Sequence, residues 1–169
     1  METATVTVST TPQNKLHLRD VTPAQACILK RMHTKESGGQ PLARVVITGE
    51  AITRVRAGVE VVNGDRRQKY EEHPRTDGEE RERLRKMFSG TIRVGKDNVP
   101  ALQAVFPNEM DPLPQTFEEV QQHLGEGVEI LTAEAVAEIE QATRESKAKA
   151  EAARVRKPKK AKTEVTEQT

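Results

Sequence analysis

The apolar positions of this chain change period along its length, and each change marks an element. After Thr22-Pro23-Ala24-Gln25, apolar residues recur at Ala24, Cys27, Ile28, Leu29 and Met32, the spacing of one helical face. Thr22 can cap such a helix, Pro23 suits its first position, and Gln25 completes a capping box. This predicts a helix from Pro23 to about His33, ended by Glu36-Ser37-Gly38-Gly39-Gln40-Pro41. Residues 43–49 are short and β-branched, which predicts a strand. Residues 52–62 alternate imperfectly, Ile52, Arg54 and Arg56 against Val55, Val59 and Val61, and predict a second strand with Ala57-Gly58 as a bulge or turn. Asn63-Gly64-Asp65 signals a turn. Residues 66–73 are polar, and no element is assigned to them.

The second half is more helical. Residues 78–88 place Glu79, Glu80 and Glu82 early and Arg85 and Lys86 late, which suits the helix dipole, with Thr76 or Asp77 as the cap. Leu84, Met87 and Phe88 form its apolar stripe, and with so few aromatics in the chain Phe88 is expected to anchor the core. Residues 91–94 predict a short strand and residues 99–106 a short apolar helix. Pro107, Pro112 and Pro114 stiffen the loop that follows. Thr116-Phe117-Glu118-Glu119 is a second capping box, opening a helix to about Leu124 that Gly125 and Gly127 close. A last helix starts at Leu131-Thr132-Ala133-Glu134 and carries Val136 and Ile139. Past Thr143 almost only alanines remain, so any continuation is solvated. The predicted class is α+β, a small core of short helices with one small sheet or hairpin.

Composition sharpens this picture. Apolar residues make up 34% of the 169, below the roughly 45–50% of ordinary globular chains, so the core is expected to be small and mostly aliphatic. The expected organisation is a flexible, Thr-rich arm over residues 1–17, an α+β domain over 18–143, and a basic, disordered tail over 144–169. Residues 5–9 alternate weakly and could add a strand to a partner. Residues 1–9 have neither a basic nor an apolar signal segment, and no long apolar run occurs, so neither a secretory signal nor a membrane span is expected. Cys27 is the only cysteine, which fits a reducing compartment.

The sequence offers no catalytic constellation. His17, His33, His73 and His123 form no metal-ligand spacing, and one cysteine makes no zinc framework, so no metal or cofactor is expected. Cys27 and His33 are six residues apart and share no helical contact row. Glu71, Glu72 and His73 read as a solvated charged segment rather than an acid/base cluster. Gly38-Gly39 precedes a strand, and neither nucleotide-binding glycine motif occurs. Arg54, Arg56, Arg66, Arg67 and Lys69 read as ordinary sheet surface, with only Tyr70 available for base stacking.

Charge is distributed unevenly. Residues 144–162 hold nine cations, Arg144, Lys147, Lys149, Arg154, Arg156, Lys157, Lys159, Lys160 and Lys162, against two acids, a net of +7. Residues 163–169 carry −2 and the chain +1, which leaves −4 on residues 1–143. Three roles suit such a tail: solubilising the protein, neutralising a phosphate backbone without reading sequence, or docking on an acidic protein. The nine cations are the candidate contact residues.

The order of several pieces resembles small accessory proteins encoded among the structural genes of tailed bacteriophages. These pieces are Thr22-Pro23-Ala24-Gln25 running into residues 27–33, then residues 45–50, residues 79–88, and Phe106-Pro107 with Leu113-Pro114-Gln115-Thr116-Phe117. The resemblance spans residues 18–125 and carries over no functional residues. It implies a non-enzymatic virion-associated or morphogenesis protein, acting through contacts with other protein subunits in the host cytoplasm or the virion. The alternative is a nucleic-acid-associated accessory protein that uses the basic tail.

Overall fold

A computed structural model describes residues 1–9, 14–32 and 42–155 of the chain. The chain divides into two units, Met1–Ala133 and Glu134–Thr169. The division falls ten residues before the boundary expected at Thr143, because the helix crossing that boundary is unbroken.

The first unit is built on a four-stranded sheet. Its strands are β1 (Glu2–Ser9), β2 (Lys15–Val21), β3 (Leu42–Glu50) and β8 (Glu129–Thr132), in the order β2-β1-β3-β8. β1 is antiparallel to both neighbours, and β3 pairs in parallel with β8. The expected flexible arm is therefore corrected: residues 2–9 form an inner strand of this sheet. Thr is β-branched and suits a pleated surface. Ala4, Val6 and Val8 pack into the core, while Thr3 and Thr7 are also buried. Thr7 Oγ1 meets His17 Nδ1 at 3.0 Å across the β1–β2 pair. Residues 10–13, the middle of the predicted arm, lie outside the described residues.

Helix α1 (Pro23–Met32) is buried along Pro23–Leu29, where two groups of apolar side chains meet it from opposite sides. Ala26, Cys27 and Leu29 pack with Val6, Val45, Phe117, Val120 and Leu124. Ala24 and Ile28 pack with Leu84, Ala101, Leu102 and Leu113. Phe88, Val105 and Phe106 are half-buried and touch both groups. The largest fully buried side chain is Phe117, not the expected Phe88, and Met87 is exposed. Thr22 accepts from the Gln25 N–H at 3.3 Å, as the cap requires. The Gln25 side chain instead accepts from Arg83 at 2.7 Å, so the capping box stays half made. The predicted stop at residues 36–41 lies outside the described residues.

Helix α2 (Asp77–Met87) has the full capping box, with Thr76 and Glu79 exchanging both hydrogen bonds. Helix α3 (Ala101–Val105) follows a small hairpin, β6 (Thr91–Val94) and β7 (Asp97–Pro100). The helix predicted from Thr116 reduces to a turn followed by α4 (Gln121–Leu124). The second unit holds α5, Ala133–Val155 being its full span and all but the first residue lying in that unit.

Candidate functional site

The described residues hold no group of three or more His, Cys, Asp or Glu side chains able to bind a metal ion. None of their helices is long and apolar enough to cross a membrane. Cys27 lines a shallow groove with Lys30, Arg31, Val105 and His123. Cys27 as a residue is 5% exposed, and burial pushes its thiol pKa up to about 12. A thiol held protonated in this way is a poor nucleophile. Glu72 faces Arg54 at 2.6 Å, whereas His73 Nε2 meets Glu79 Oε1 at 3.0 Å on α2.

The feature that departs furthest from a self-contained core is a long ribbon. Strands β4 (Ile52–Val62) and β5 (Asp65–Pro74) pair only with each other. Residues 66–73, unassigned from sequence, form most of its second strand. At the tip, Asn63 (φ 53°) and Gly64 (φ 87°) both lie in the left-handed region, as a type I′ turn requires. A two-stranded hairpin is marginal in water by itself, and nearly every residue of this one is exposed.

A bulge decides what the ribbon displays. Arg56 pairs with Tyr70 and Gly58 with Lys69, so Ala57 is the extra residue, and Gly58 takes φ 135°. Directly paired residues share a face. Before the bulge Ile52, Arg54 and Arg56 share the Tyr70 face; after it Val59 and Val61, paired with Gln68 and Arg66, join that same face. Sequence alternation had placed these valines opposite the arginines. The result is one face with Ile52, Val59, Val61 and Tyr70 at 49–67% exposure, studded by Arg54, Arg56 and Arg66. Against Glu72 that face carries +2. The other face carries Glu60, Asp65 and Glu71 against Arg67 and Lys69.

The ribbon's base is fastened to the core by a buried carboxylate. Glu80 is fully buried. Thr22 Oγ1 donates to it at 2.6 Å, Arg83 donates twice at 2.6 and 2.8 Å, and Arg75 donates at 3.0 Å. Arg75 follows β5 directly and also donates to the Ile52 carbonyl at 3.1 Å, so one guanidinium ties both strand ends to α2. Burial pushes the Glu80 carboxyl up, but the Arg83 and Thr22 hydrogen bonds, the Arg83 charge and Arg75 outweigh it, and its pKa is lowered. Nothing in the sequence distinguished Glu80 from Glu79 or Glu82. The signal that could have found it is the helical spacing of Glu80 and Leu84, which stacks them on one face.

The nine tail cations divide. Arg144, Lys147 and Lys149 stand exposed on α5, and Arg144 meets Glu140 at 3.8 Å. Arg154 lies in the last turn of the same helix. By helical spacing Arg144 and Lys147 fall on one face and Lys149 on the other. Arg156, Lys157, Lys159, Lys160 and Lys162 lie outside the described residues. No protein-family model, no curated protein and no solved structure matches this chain.

Proposed function

We propose that this protein is a non-enzymatic structural or assembly subunit that works through protein contacts, with the β4–β5 ribbon as its docking arm. The observation that carries this reading is the arm's apolar-and-arginine face, left open by a ribbon that no third strand supports. Exposed apolar residues grouped on one open face suit an interaction site, and arginine among apolar residues suits the core of a protein interface. The order of motifs that resembles accessory proteins of tailed bacteriophages supports the same class, a virion-associated or morphogenesis protein in the host cytoplasm or the particle. The runner-up, a backbone-binding nucleic-acid accessory protein, draws on Arg144, Lys147 and Lys149 exposed along α5.

Photo-cross-linking in the producing cell tests the reading. A photoreactive residue at Val59 or Val61 is expected to give discrete protein adducts, while one at Lys69 on the opposite face gives few. Absence of adducts from Val59 and Val61, with duplex DNA binding that falls steeply with salt, would move the function to the tail.

A further inference from the structure

Resting on that reading of the arm, we infer that its occupant is a second copy of this chain, whose acidic groove beside α4 receives the basic apolar face. The groove is lined by Glu118, Gln121, Gln122, Gly125, Glu126 and Val128. It holds two carboxylates and no lysine or arginine, opposite in sign to the +2 face of the ribbon. Gly125 leaves its wall open, since a Cβ there would meet no atom within 4 Å. Gln121 and Gln122 offer amides to the backbone groups along a ribbon edge.

Charge favours self-association over the other candidates. The ribbon, residues 52–74, carries five cations and four acids, +1. The rest of the first unit, residues 1–51 and 75–133, carries −2. A basic arm face and an acidic groove on the same unit are complementary between two copies of it. A ribbon of net +1, with Glu60 and Asp65 near its tip, is poorly suited to a phosphate backbone. Arg56 and Arg66 form no ion pair among the described residues, so both are available. They lie four rungs apart, about 13 Å at roughly 3.3 Å per residue, with Tyr70 beside Arg56, Val61 beside Arg66 and Val59 between them on the same face. Arm and groove are different surfaces, so the contact is heterologous and propagates head to tail into a ring or filament.

Charge-swapped full-length chains test this by sedimentation. Wild type is expected to associate as concentration rises. R56E/R66E and E118K/E126K are each expected to associate at least about tenfold more weakly, since like charges then face each other. An equimolar mixture of the two is expected to recover most of the wild-type association, because each arm again meets a groove of opposite sign. All variants should melt within about 2 °C of wild type, the altered residues being exposed. Wild type that stays monomeric overturns the inference. So does unimpaired association of E118K/E126K; if V59D/V61D then fails to associate, the arm still docks on protein and only the groove is wrong. Duplex DNA binding that R56E/R66E abolishes overturns both the inference and the reading beneath it.

Discussion

Replacing Glu80 with alanine probes the joint between arm and core. The substitution deletes the acceptor of four hydrogen bonds, two from Arg83 and one each from Arg75 and Thr22. It leaves two guanidiniums and a buried hydroxyl facing a small void. Breaking a buried ion pair from one side costs about 3–5 kcal/mol. Arg75 and Arg83 keep 17% and 26% of their side-chain surface, so water can partly recover them, which places the expected cost near the lower end, about 3 kcal/mol. For a chain of this length that corresponds to roughly 6–12 °C in Tm, read by far-UV circular dichroism. E80Q keeps the volume and one acceptor for Thr22, so its loss should be smaller than that of E80A. An E80A protein melting within about 2 °C of wild type would refute the claim that this carboxylate is shut in and fully used.

Three further outcomes follow from the same packing. Phe117→Ala should cost about 3–5 kcal/mol and Phe88→Ala distinctly less, measured by urea unfolding; the reverse order would mean the core is centred elsewhere. Cys27 should resist iodoacetamide at neutral pH in the native protein and react quickly in denaturant, since its pKa stands at about 12; rapid native labelling would contradict its burial. Acid should weaken the fold through Glu79, whose carboxyl is lowered to about 2 by the Thr76 backbone hydrogen bond and by His73. A carboxylate depressed in the folded state lends stability above its ordinary value near 4.5. That stability is lost as pH falls from there toward about 2. E79Q should flatten the acid limb of a Tm-versus-pH curve over that range, and an unchanged limb would mean the capping box does not persist in solution.

What the sequence revealed and what it hid have physical causes. Local signals were legible because short-range chemistry sets them. The Thr22-Pro23 start, the Asn63-Gly64 turn and the Thr76 cap all appear where spacing put them. The first strand was hidden because threonine looks polar by composition, while its place between β2 and β3 depends on residues far along the chain. The display face of the ribbon was hidden by one residue. Ala57-Gly58 was legible as a bulge or turn, but which side Val59 and Val61 would join depended on the pairing register. Glu80 was hidden because three acids in one helix turn look alike until Arg75, Arg83 and Thr22 converge on one of them. The groove beside α4 gave no motif, since Glu118 and Glu126 are brought together only by the turn between them.

Amide hydrogen exchange reads whether protein covers the ribbon in the assembled state. Exchange of β4 and β5 amides should be fast in dilute protein, because a lone two-stranded ribbon is marginal, while α1 amides are protected throughout. At concentrations where the chain associates, ribbon exchange is expected to slow by about tenfold or more, with α1 unchanged. Ribbon amides that exchange equally fast in the dilute and the assembled protein would contradict the account.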